Sequence, residues 1–390
     1  MIKEPRRALV VASTMVHRDP RVSRQVESLT GNGWVVDTIG SGPESASSVH
    51  DHFPLMSVRR WVRSKPGTLL IHGLLPHRLR FKLLASNRIQ PAVKSRIRSG
   101  QYQLIIFNDL QFVPWIADPN TFTATALRAH THLDLHEYFP ATPRRDSLYR
   151  RFLASYQAWI RRHIGDPHFT TRSTPVRGIS SLYAEEFGFS TPAVIRNCPP
   201  SIVQNPVPVN PGEIRLVHHG VVNRNRGLYE IVDAMRLIGE RFSMTFLPVG
   251  AESEIAALKA YARGLEGRVH FVPPVPMMEI CSAINQYDLE VMFFPPKTRN
   301  LELALPNKFF EAIQGRLGVV IGKSLMMEEL VEEHGIGLVV GGWSAQDLAA
   351  GLNTLTAEQV AEYKRAAHRI APDFSAESER QAFLAIVDAN

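Results

Sequence analysis

Apolar residues along this chain gather in short runs, and between the runs they recur at helical spacing. Residues 8–12, 35–39, 103–107, 214–218, 244–249, 269–272, 289–294 and 318–321 read as buried strands. Val22, Val26 and Leu29 mark a helix that Gly31-Asn32-Gly33 stops, and Leu228, Ile231, Val232 and Met235 mark another. Helices are also expected over 252–264, 277–287, 325–334, 346–355 and 357–370. Strand and helix alternate regularly, which predicts an α/β protein with parallel sheets covered on both faces. Residues 52–100 break the pattern, being basic and poorly periodic, and helices with a mobile loop are expected there. A basic amphipathic helix follows at 144–163, with Phe152, Tyr156, Trp159 and Ile160 on its apolar side.

The pattern pauses once. Between Pro199 and Pro211 five of thirteen residues are proline, which makes a semi-rigid hinge. The 390 residues are enough for two domains with cores of their own. The expected division is 1–200, a linker at 201–212, 213–370, and a terminal segment 371–390. Leu305 to Ile321 is the densest stretch of chemistry. Pro306 suits a first helical turn, Phe309, Phe310 and Ile313 give the helix an apolar side, and Gly315 ends it. A helix start after a buried strand collects free N–H groups and a positive dipole end, a site for phosphate, and Lys308 adds a point charge. Glu311, one turn on, is placed to accept from a sugar hydroxyl.

Composition alters this picture in two ways. The chain carries a net +7, but residues 1–200 hold 27 Lys+Arg against 14 Asp+Glu (+13), and residues 201–390 hold 17 against 23 (−6). Between His52 and Asn108 there are eleven basic residues, Arg59 to Arg98, and no acid; Trp61, Leu69, Leu70, Leu74 and Leu75 lie among them. Such a surface attracts an anionic membrane, each basic residue being worth about 1 kcal/mol there. Secondly, Cys198 and Cys281 stand far apart, so no disulfide framework is written and a reducing cytoplasm is expected. No apolar run reaches the ~20 residues of a spanning helix.

Residues 306–311, Pro-Asn-Lys-Phe-Phe-Glu, followed by Gly315 and a Val-Val strand, resemble the nucleotide-sugar signature of the family-4 glycosyltransferases with the GT-B fold. The resemblance implies two Rossmann-like domains facing a cleft, with residues 371–390 crossing back to the first. It gives Glu311 the ribose, and Pro306, Asn307 and Lys308 the phosphates. Where the family has an earlier Glu, this chain has Leu303, with Glu302 one step away. Gly220 and Gly227 keep the family's phosphate-loop spacing. Arg226 stands at its Lys position, Val221 at its Arg position, and Arg224 is a candidate replacement. Arginine suits a diphosphate because it binds bidentately.

In the first half, Asp19-Pro-Arg21-Val and Asp134-Leu-His136-Glu137-Tyr138 are similar to segments of the same family. The likeness places Asp19, Arg21 and Glu137 at the substrate and His136 over the donor sugar, with Asp109 or Glu137 orienting the acceptor. Two other readings stand beside it. Asp19 also reads as an ordinary helix cap. His130-Thr-His132-Leu-Asp134 reads either as a polar strand end or as a zinc site lacking the next His.

The family's activity implies a retaining transfer of a hexose-type sugar from a nucleoside diphosphate sugar to a lipid-linked or other saccharide at the inner face of a bacterial plasma membrane. His136, Arg226 and Lys308 are the expected catalytic residues. No metal, cofactor or nucleic acid is expected. The rivals are another GT-B enzyme, such as a sugar-nucleotide epimerase, and a non-enzymatic polyanion binder.

Overall fold

A computed structural model describes residues 5–43, 48–58, 60–108, 110–139 and 148–388. Asp109, Arg59 and residues 144–147 of the expected basic helix lie outside these; the described part of that helix is Leu148–Arg162. The chain divides into two units, 1–196 with 380–390, and 197–379.

The first unit is built on seven parallel strands: β1 Arg7–Val11, β2 Val35–Gly40, β3 Asp51–Pro54, β4 Leu104–Phe107, β5 His130–Asp134, β6 Thr171–Thr174 and β7 Ala193–Val194. Their order is β3-β2-β1-β4-β5-β6-β7. The apolar runs became strands because both faces of a parallel sheet are covered. Ala8, Val10, Leu104 and Ile106 share one core with Val22, Val26 and Leu29 of the helix Pro20–Thr30. Phe383 and Val387 of the terminal helix Ala376–Val387 complete it. Residues 52–100 form three helices, Lys65–Leu74, His77–Leu84 and Pro91–Arg98, after the unforeseen edge strand β3.

The second unit has six parallel strands: β8 Ile214–Val221, β9 Phe242–Val249, β10 Val269–Phe271, β11 Leu289–Met292, β12 Gly318–Gly322 and β13 Gly337–Val340. They run β10-β9-β8-β11-β12-β13, with one apolar cluster on each face. The proline-rich segment lies along this unit. The Ile202 N–H donates to Gln314 Oε1, and Gln204 Nε2 donates to the carbonyls of Cys281 and Gln314.

The helix that carries Lys308 starts one residue later than expected. It spans Asn307–Gln314, and Pro306 is its N-cap, extended at φ −72 and ψ 154. Pro306 thus ends the loop and Asn307 is the first helical residue. No helix among the described residues is long and apolar enough to cross a membrane.

Candidate active site

Two clusters hold the residues singled out in the sequence, one in each unit. In the second unit the cluster forms where β8 ends and the helix Asn307–Gln314 begins. That helix packs Phe309, Phe310 and Ile313 into the core, which fixes the direction of Lys308 and Glu311. Lys308 is buried, and its Nζ donates to the His219 carbonyl at 2.6 Å and bonds His218 Nε2 at 3.1 Å. Nδ1 of His218 lies 2.7 Å from the Val291 carbonyl, so Nδ1 carries the proton and Nε2 accepts. An ammonium has three N–H groups, so one remains for a ligand. Gly220 adjoins it, since a Cβ there would stand 3.3 Å from Nζ.

Burial pulls the Lys308 pKa down, Arg226 adds to the fall and the charges of Glu290 and Glu311 oppose it; the result is about 8. Burial and then the Lys308 charge hold His218 well below the usual range.

Glu311 meets a second group. Its Oε2 bonds His219 Nε2 at 2.8 Å, and His219 Nδ1 bonds Glu290 Oε2 at 3.0 Å. Glu290 is fully buried, whereas the Glu311 side chain keeps 14% of its surface exposed. Burial alone would lower the His219 pKa, but the Glu290 charge and the two carboxylate hydrogen bonds outweigh it and raise it to about 9.

Arg226 ends a short 3₁₀ turn, Arg224–Arg226, held by Gly227 at φ 67. Arg226 is close enough to depress both Lys308 and His218 electrostatically. Arg224 instead lies over the Tyr229 ring at 5.5 Å and is exposed. Asn307 accepts from Asn197 Nδ2 at 2.6 Å. Leu303 is buried, and Glu302 pairs with Arg299 at 2.7 Å on the surface.

In the first unit the hub is Asp134 at the end of β5. It accepts from Arg21 Nε and Nη2, each at 2.6 Å, from Gln25 Nε2 and Ser173 Oγ, each at 2.7 Å, and it faces His136 Nε2 at 3.3 Å. Burial would raise its pKa, but the Arg21 charge and His136 hold it well below the usual carboxylate range. Nη1 of Arg21 donates to the Ile195 carbonyl at 2.6 Å. Arg21, expected at the substrate, is committed to the fold. Asp19 caps the helix Pro20–Thr30 through the N–H groups of Arg21 and Val22 and accepts from Thr14. It is the ordinary cap that the sequence also allowed.

His136 is half-buried and also 3.3 Å from Asn108 Oδ1 at the end of β4. Glu137 is exposed. The zinc reading loses its ligands to hydroxyls, with His132 bonded to Thr171 and Ser173 and His130 to Thr171. Among the described residues one trio has metal-ligand spacing, Asp37, His50 and Asp51, and the Arg96 guanidinium sits 2.8 and 2.6 Å from its two acids.

His219 and Glu290 were missed in the sequence. A signal existed: Glu290 is an acid within an apolar strand run, and a buried acid needs a partner.

Residues 213–358 match the family model of the group 1 glycosyl transferases. No curated protein sequence matches the chain. Among solved structures, sucrose-phosphate synthase of Thermosynechococcus elongatus superposes with TM-score 0.68 at 14% identity, covering 99% of this chain and 100% of that one. Anabaena HepE, solved in complex with UDP, gives 0.67 at 13% over 99% and 100%. The lipopolysaccharide outer core galactosyltransferase WaaB gives 0.66 at 10% over 98% and 99%. These likenesses establish the GT-B fold.

Proposed function

We propose that this chain, which has the GT-B fold and matches the model of the group 1 glycosyl transferases over residues 213–358, is a glycosyltransferase that transfers a sugar, with retention, from a nucleoside diphosphate sugar to a lipid-linked saccharide of the bacterial cell surface. The observation that carries the donor half is the convergence of Gly220, Lys308, Arg226 and Glu311 at one strand end and one helix start.

The chemistry demands that charge on the departing diphosphate be stabilised. The remaining N–H of Lys308, the Arg226 guanidinium and the open amides of Asn307 and Lys308 are the donors we assign to it. Glu311 takes the ribose hydroxyls. His136 is the first-unit residue we assign to the donor sugar, its ring fixed by Asp134 and Asn108. Arg21 acts through Asp134 and Asp19 through its helix, so neither is assigned to substrate. Glu137 is assigned to the acceptor. WaaB, a lipopolysaccharide enzyme, and the basic surface of the first unit support a lipid-linked acceptor at the inner face of the membrane.

The test is a thermal-shift panel of UDP, GDP, dTDP and CDP on the wild type and Glu311→Ala. A ligand that binds the native state adds about 2.7 kcal/mol of stability at a hundredfold excess over Kd and so raises the melting temperature. One nucleotide should raise it, and Glu311→Ala should abolish the rise. No rise with any nucleotide would discard the donor site and favour a polyanion-binding protein.

A further inference from the structure

We infer that His219, clamped between two carboxylates, is the positioning residue that sets Glu311 for the nucleotide ribose. The inference rests on the donor-site reading above and adds a residue to it. His219 ends nothing and caps nothing. Its ring lies between Glu290 Oε2 at 3.0 Å and Glu311 Oε2 at 2.8 Å, and the ring itself is buried. As an imidazolium it donates from both nitrogens. Glu290 is the fixed end of the chain, since it lies within β11 with no exposed surface, and its Oε1 also accepts from the His219 N–H. Glu311 is the open end. His219 takes its Oε2, and no hydrogen bond among the described residues takes Oε1. A carboxylate held by one oxygen presents the other in a fixed direction, which a glutamate on a helix surface does not do unaided.

The neighbouring charges fit this assignment. Two carboxylates and one imidazolium leave a net negative charge, and Lys308, from the same helix as Glu311, stands close enough to offset it, with Arg226, from the loop after β8, acting on Lys308 in turn. His218 beside it is held neutral and serves Lys308. The adjacent histidines therefore divide the work, His218 and the His219 carbonyl holding the cation assigned to phosphate, and the His219 ring holding the anion assigned to ribose.

The experiment measures Kd for UDP and 2′,3′-dideoxy-UDP (or the GDP pair, if the wild type prefers it) on the wild type, His219→Gln and His219→Asn. The Gln amide falls near Nε2 and can still donate to Glu311; the Asn amide falls near Nδ1 and reaches only Glu290. Loss of the hydroxyls should weaken binding about tenfold in the wild type, the size of a hydrogen bond to a charged acceptor. His219→Gln should keep most of that ratio and His219→Asn should bring it close to one. A ratio preserved in His219→Asn, or lost equally in both variants, overturns the inference while leaving the donor site standing. A wild type that binds neither UDP nor GDP removes both.

Should His219→Asn not fold, the wild type labelled with ¹⁵N-histidine decides. One protected Nε2–H resonance should move on adding UDP and stay in place with the dideoxy analogue. No such difference would overturn the inference.

Discussion

Lys308 sits where a charge is least at home, buried and pulled down to a pKa of about 8. A diphosphate beside Nζ would favour the ammonium, so at pH 8 to 9 binding should draw a proton from solvent. Nucleotide affinity should be level near pH 7 and fall by up to about tenfold per pH unit above 8. Lys308→Met should flatten that fall and weaken binding at pH 7 about 10- to 100-fold, the range for a hydrogen bond to a charged group. Calorimetry in two buffers of different ionisation enthalpy measures the proton uptake; an unchanged profile in Lys308→Met would remove Lys308 from the phosphate.

The pKa shift runs the other way at His219. Its pKa is raised from 6.5 to about 9, so the native state holds a proton that the unfolded chain releases. Its contribution is complete below pH 6.5 and lost as pH rises through 9. Lys308, lowered from 10.5 to about 8, counteracts this only above pH 8. Other histidines with lowered pKa titrate in the same range, so the comparison isolates the effect: the stability advantage of the wild type over His219→Gln should shrink as pH rises from 6.5 to 9, read by thermal unfolding.

The turn Arg224–Arg226 shows how an element enforces a site. Gly227 follows it at φ 67, and a Cβ there would lie 1.5 Å from the Phe293 carbonyl oxygen, backbone that cannot step aside. Gly227→Ala has to move the turn that carries Arg226. Gly264 makes the control, since its φ is 86 with nothing within 4 Å of a Cβ. Gly264→Ala should cost about 1–2 kcal/mol of left-handed strain and leave nucleotide binding alone. Gly227→Ala should cost more and weaken binding, read by urea unfolding and UDP titration. Equal effects from the two variants would separate the turn from the donor site.

The same contrast explains what the sequence disclosed. Strands such as β12 and helices such as Asn307–Gln314 were legible because both faces of a parallel sheet select apolar runs, and the helix shows its buried stripe. The strand β3, Asp51–Pro54, was not, since it is short, polar and at an edge. Lys308 and Glu311 could be placed on one helix start from the local sequence, and Gly220 entered through the family resemblance. The ion pair of Arg21 could not be read because its partner Asp134 is 113 residues away. His219 was hidden for the same reason. Its partners lie 71 and 92 residues on, and they meet it only through the register that sets Val217 beside Glu290 across β8 and β11.

At the scale of the whole molecule the charge is divided, +13 over residues 1–200 and −6 over 201–390. The structure shrinks the basic face between His52 and Asn108. Arg80 is buried on the Leu75 carbonyl, Arg96 is spent on Asp37 and Asp51, and Lys94 is tied to Ser86. Arg60, Arg78, Lys82 and Arg98 are exposed. Beside them Trp61, Leu69, Leu70, Leu74 and Leu79 are 45–74% exposed, on the helices Lys65–Leu74 and His77–Leu84 and the turn before them. Among the described side chains these four exposed cations bring about 4 kcal/mol at an anionic surface. The apolar side chains must then supply a comparable share if the membrane reading holds.

The two contributions separate with salt, because the Debye length is about 8 Å at physiological ionic strength and apolar insertion is unscreened. Arg78→Ala with Lys82→Ala should weaken binding to phosphatidylglycerol vesicles about 30-fold at low salt, equivalent to ~2 kcal/mol, and little at high salt. Leu69→Ser with Leu74→Ser should weaken it at both. All four side chains are exposed, so stability should hold within about 0.5 kcal/mol. Co-sedimentation with phosphatidylglycerol and phosphatidylcholine vesicles decides the matter. A wild type that pellets with neither would detach the basic face from the membrane and leave a soluble acceptor for the enzyme.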